Sequence, residues 1–91
     1  MPKELMRLEL PNEVGSIVLY DWMETSDGRN LVRLDKFDRL IWQATPYMPE
    51  LRDCFVRVWW EGELLMAQTF SCFRGEIDVG DGSFTALEFT K

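Results

Sequence analysis

Sixteen aspartates and glutamates stand against ten lysines and arginines, and there is no histidine. Carboxylate chemistry is therefore what the chain has most material for. Asp21, Glu24 and Asp27 recur every third residue, and such a group can cradle a cation or act as paired carboxylates. Acids gather at nearly every turn signal in this chain, however, and solvated turn charge is the competing reading. Asp78 and Asp81, with Gly80 and Gly82, share the composition of a calcium loop. The twelve residues DVGDGSFTALEF put Val, Phe and Leu where oxygen ligands are needed, so a chain-reversing turn accounts for them better. Without histidine the chain lacks the usual general base near neutral pH and the commonest metal ligand. Cys54 and Cys72 match no zinc spacing and have no basic cluster to lower their pKa, so they are expected as buried structural thiols. These residues imply no catalytic site, no metal and no cofactor. An enzyme working through two carboxylates, with Asp21 and Asp35 in one concave pocket, is the minor alternative.

Arg57 offers binding chemistry instead. It alternates with Phe55 and Trp59, where its guanidinium can stack over Trp59 and present donors to a carboxylate or a peptide. Against this stands a stem lying along an apolar face with its head on a protein acid or water. Of Trp22, Trp42, Trp59 and Trp60 most must fill the core, because so small a domain has few other large groups. The candidate interaction surface is thus Arg57, Trp59 and Trp22 with the acids Asp21, Glu24 and Asp27.

Strands must position these residues. FVRVWWEGELLMAQTF, from Phe55 to Phe70, is the clearest hairpin signal. With Glu61-Gly62 as its turn, Arg57 faces Met66, Trp59 faces Leu64 and Val58 faces Leu65. Val56, Val58, Trp60, Leu65 and Ala67 then share one side, Phe55, Trp59, Leu64 and Met66 the other. Both sides are apolar, which predicts a hairpin in mid-sheet. The remaining predicted strands are an edge strand over Lys3 to Leu10, then Ser16 to Met23, Leu31 to Leu34 and Leu40 to Gln43 (with a helix over Asn30 to Ala44 as the competing reading), Ser71 to Val79 and Ser83 to Thr90. Pro11-Asn12, Asp27-Gly28 and Gly80-Asp81-Gly82 supply turns. Pro46 and Pro49 mark a crossing between a first repeat, 1–45, and a second, 54–91, within one domain. The fold class is all-β: about eight short antiparallel strands.

At 46% hydrophobic and 13% aromatic the chain is too apolar for disorder. It has no apolar run of membrane-spanning length, and Met1 to Leu10 lacks the block of a signal peptide, so a cytoplasmic protein off the membrane is expected. A net charge of −6 repels phosphate backbones and disfavours direct nucleic-acid binding, while a basic protein partner suits it.

Leu34-Asp35 and Ile77-Asp78 each close a strand, precede a turn with a second Asp (Asp38, Asp81) and lead into another apolar strand. Their offset, 78 − 35 = 43 residues, lies in the range of propeller blades. The stretch Leu34-Asp35-Lys36-Phe37-Asp38-Arg39-Leu40-Ile41-Trp42-Gln43 resembles the repeat of pyrroloquinoline-quinone-enzyme β-propellers (PQQ-like), and Ile77 to Phe84 resembles a weaker copy. The first copy has Asp38 where Gly is usual, and the second has no Trp. The chain also looks like small bacterial proteins with two such repeats. The resemblance implies two four-stranded, blade-like repeats; a small β-sandwich or barrel is the alternative. It transfers no cofactor residues, because two blades close no ring. Open sheet edges favour a homodimer. The expected function is a non-enzymatic module that self-associates and binds another protein through its aromatic and acidic surface. The alternative is an acidic inhibitor or immunity-type protein that mimics nucleic acid to block a basic enzyme.

Overall fold

The computed structural model describes residues 3–24, 28–47 and 53–89, with Glu24 described by its backbone alone. Its eight strands are β1 (Glu4–Glu9), β2 (Ser16–Tyr20), β3 (Leu31–Leu34), β4 (Leu40–Gln43), β5 (Phe55–Glu61), β6 (Leu64–Thr69), β7 (Phe73–Ile77) and β8 (Phe84–Phe89). They form two four-stranded antiparallel sheets in sequence order, β1-β2-β3-β4 and β5-β6-β7-β8. Single turns of 3-10 helix cover Pro11–Glu13 and Trp22–Glu24. The all-β expectation holds. The predicted strand ending at Met23 stops at Tyr20, and the crossing from Pro46 to Asp53 lies outside the described residues over 48–52.

The sheets pack face to face, as in a small sandwich. Ile17, Leu19, Leu31, Trp42 and Ala44 of the first sheet meet Phe55, Val58, Leu65, Ala67 and Ile77 of the second in one buried cluster. Period-2 alternation places these side chains on the inner faces. Phe55 is fully buried, and its ring meets that of Phe84 edge-on at 5.4 Å; burial of such a side chain stabilises by about 2–3 kcal/mol. The first sheet's other face holds a smaller buried group of Val18, Val32 and Leu34 against Tyr20.

The central hairpin corrects three expectations. Its turn is Gly62-Glu63, because Gly62 takes φ 61° at the first of two turn positions, the place where such turns favour glycine. Glu61 therefore pairs with Leu64, Trp59 with Met66, Val58 with Ala67 and Arg57 with Gln68. A two-residue shift keeps every side chain on its face, so Val58, Trp60, Leu65 and Ala67 still line one side. Phe55 and Val56 do not follow, since a bulge between Phe55 and Arg57 leaves Val56 unpaired and turns Phe55 into the core in its place. The hairpin is also not in mid-sheet: β5 is an edge strand.

Two polar links set the sheets against each other. Asn30, fully buried, donates through Nδ2 to the carbonyls of Tyr20 (2.9 Å) and Phe55 (2.7 Å), and its Oδ1 accepts from Phe55 N at 2.9 Å. The amide thus stands in for a neighbouring strand at the start of β5. At the far end the Trp42 indole donates to the Val79 carbonyl at 2.8 Å, which also accepts from Arg33 at 2.9 Å.

Candidate functional site

Residues of the edge strands β1 and β5 border one seam between the sheets, where β5 packs on β2, and the seam carries two grooves. The first, about 430 Å³, is lined by Leu5, Met6, Leu19, Trp22, Val56, Arg57, Val58 and Trp59. The second, about 680 Å³, is lined by Glu9, Leu10, Pro11, Trp60, Gly62, Glu63 and Val79. They succeed one another along the same strands: β1 gives Leu5 and Met6 to one and Glu9 to the other, while β5 gives Val56 to Trp59 and then Trp60.

The first groove gathers Arg57, Trp59 and Trp22, three of the residues singled out in the sequence. Local structure explains how. Trp22 leads the 3-10 turn after β2, and the Asp21 carboxylate holds that turn by accepting from Met23 N at 2.9 Å. Arg57 and Trp59 alternate on β5 beyond the bulge. Leu5, Met6 and Trp22 stay 42%, 44% and 37% exposed, a large apolar surface for adjacent residues to leave in water. Asp21 is not among the lining residues; Glu24 contributes only backbone to the description, and Asp27 lies outside the described residues.

Arg57 differs from four other arginines. Arg7 pairs with Glu4 and Asp38, Arg39 with Asp35, Arg74 with Glu88, and Arg33 donates to Val79. Among the described residues Arg57 makes no hydrogen bond or ion pair. An exposed guanidinium beside two indoles and five other apolar side chains can take a carboxylate attached to an apolar group, the former by paired donors and the latter by burial.

The acids are mostly committed elsewhere. Asp35 Oδ1 accepts from the backbone N–H groups of Phe37 and Arg39 at 2.8 and 2.9 Å, and Asp78 Oδ1 from those of Gly80 and Asp81 at 2.7 and 3.2 Å. Asp81 accepts from Ser83 N at 2.8 Å. Backbone hydrogen bonds, from Arg39 to Asp35 and from Ser83 to Asp81, hold both carboxyls below the ordinary aspartate range. The Asp35 and Asp78 turns fall in the same place, between the third and fourth strand of each sheet. Asp35 lines a groove of about 330 Å³ with Asn12, Glu13, Phe37 and Arg39, and Asp21 is not part of it. No three of His, Cys, Asp and Glu come together as a metal site among the described residues.

Cys54 is buried, and burial followed by the neighbouring Asp53 charge pushes its thiol up, away from the nucleophilic thiolate. Cys72 is half-buried rather than fully so. Sequence reasoning did not find Leu5, Met6, Glu9 or Glu63 as groove residues. Their signal was present only as apolar and acidic positions on an edge strand and a hairpin tip. Comparison with protein-family models, with curated proteins and with solved structures finds no match for this chain.

Proposed function

We propose that this protein is a non-enzymatic interaction module and that the seam between β1 and β5 is its binding surface. The observation that carries the reading is Arg57, without a hydrogen bond or ion pair among the described residues, bordering an apolar groove lined by Trp22, Trp59, Leu5 and Met6. The chemistry it fits is a protein segment presenting an apolar side chain next to a carboxylate. The acidic turns of Asp35, Asp78 and Asp81 do not line the seam and suit a separate, basic partner. A cytoplasmic setting agrees with two free cysteines. Mimicry of a phosphate backbone is the weaker reading, because Asp35, Asp78 and Asp81 spend their oxygens on their own turns.

The two sheets are best understood as repeats. The supporting observations are the equivalent positions of the Asp35 and Asp78 turns and the docking of Trp42, from the first copy of the motif, on the turn of the second.

The test uses anilinonaphthalenesulfonate, a fluorescent probe with an aromatic body and one anionic group. It is expected to bind the native, cooperatively folded chain with energy transfer from tryptophan. Arg57→Glu and Trp59→Ala should each weaken binding by about tenfold or more while leaving the melting temperature within a few degrees. A native chain that takes up no probe, or takes it up equally in both variants, overturns the reading.

A further inference from the structure

The two grooves differ in charge. Arg57 stands at one end of the seam, while Glu9 and Glu63 stand at the other around Trp60, and apolar side chains line both. Glu9 accepts from the Ser16 hydroxyl at 3.2 Å; Glu63, at the hairpin tip, makes no hydrogen bond or ion pair among the described residues. An acidic ligand satisfies only the Arg57 end, and a basic one only the Glu63 end.

We propose that the occupant of the seam is a second copy of this chain, docked about a two-fold axis that stands on the seam between the grooves. The proposal rests on the reading of the seam as a protein-binding surface. Such an axis turns one end of the seam onto the other, so Arg57 of each copy meets Glu63 of its mate, and the contact is made twice. Trp22 and Trp59 of one copy then cover the apolar floor around Trp60 of the other. The opposite arrangement, with the seams parallel, sets Arg57 against Arg57 and is rejected by like charge. Apolar contact supplies the attraction, and the two charge pairs fix the register.

The experiment is mass by light scattering after gel filtration, from micromolar to millimolar chain, for the wild type, Arg57→Glu, Glu63→Arg and an equimolar mixture of the two variants. Both residues are exposed, and a cooperative melt of each variant establishes that it folds. The wild type is expected to be a dimer, each variant to dissociate at least about tenfold more readily, and the mixture to recover a dimer containing one of each, since one contact is then the native pair and the other is restored with its signs exchanged. A wild-type dimer that neither variant weakens, or a mixture no tighter than its components, overturns the proposal. A wild type that stays monomeric also overturns it; if the sulfonate probe still binds at Arg57, the seam remains a binding surface for another protein, and if it does not, both readings fall together.

Discussion

The Trp42 indole lies against Gly82 of the opposite sheet: a Cβ added to Gly82 would sit 2.5 Å from the ring. Gly82 also takes φ 81°, a backbone conformation that costs a side-chain-bearing residue energy in its own right. Gly82→Ala is therefore expected to destabilise the fold by about 2 kcal/mol or more, from overpacking and backbone strain combined. Trp42→Phe keeps most of the apolar body and loses the hydrogen bond to Val79, so about 1 kcal/mol is expected. Urea unfolding of both variants checks the order.

Asn30 and Phe55 form the other link. Asn30→Ala leaves the Phe55 N–H without its acceptor in a buried place, and a loss of about 2–3 kcal/mol follows. Asn30→Asp should be worse near neutral pH, because an ionised carboxylate cannot donate to the Tyr20 and Phe55 carbonyls. That variant should also regain stability as the pH falls, and unfolding followed at several pH values tests it.

Much of this architecture is legible in the sequence, for reasons that particular residues show. Leu31–Leu34 and Leu40–Gln43 are strands as expected, since turn residues bound each run and β-branched and aromatic residues fill it. The hairpin register depended on which two residues make the turn, and the left-handed φ of Gly62 decides that. The inward rotation of Phe55 was not legible, because a bulge responds to the packing of the whole edge. Asn30 gave no signal either: between a turn and an apolar strand it reads as a turn residue, and its role exists only once two sheets meet. Arg57, Trp59 and Trp22 were legible as candidates by type and alternation, but their convergence with Leu5 and Met6 belongs to the placement of one sheet on the other.

The depressed carboxyls of Asp35 and Asp81 set the response to acid. A folded-state pKa below the unfolded value means that stability is fully present above the ordinary aspartate value of 3.8 and is lost as the pH falls through the lower folded-state value. The unfolding midpoint should therefore hold steady down to about pH 4 and fall below it. Asp35→Asn keeps an acceptor oxygen for the turn and should flatten part of that slope, as should Asp81→Asn. Slopes identical to wild type in both variants would assign the acid response to other groups.

The two thiols should behave differently. Cys54 is buried with its thiol pKa raised, whereas Cys72 is half-buried and holds a left-handed φ of 73°. A thiol reagent applied to the native chain is expected to modify Cys72 first and Cys54 only on the timescale of opening. Cys72→Gly should stabilise slightly, by up to about 1 kcal/mol, because glycine takes that conformation without strain. Mass-spectrometric mapping of the modified site and a thermal melt answer the two points separately.

The four indole N–H signals in a ¹H–¹⁵N spectrum test the central claim most directly. Trp22, Trp59 and Trp60 line the seam, and Trp42 is buried with its N–H bound to Val79. As the chain is concentrated from micromolar to millimolar, the first three signals are predicted to shift together and saturate while the Trp42 signal stays in place. Four signals that do not change with concentration, or a change confined to Trp42, would contradict the assignment of the seam as the surface on which this protein associates.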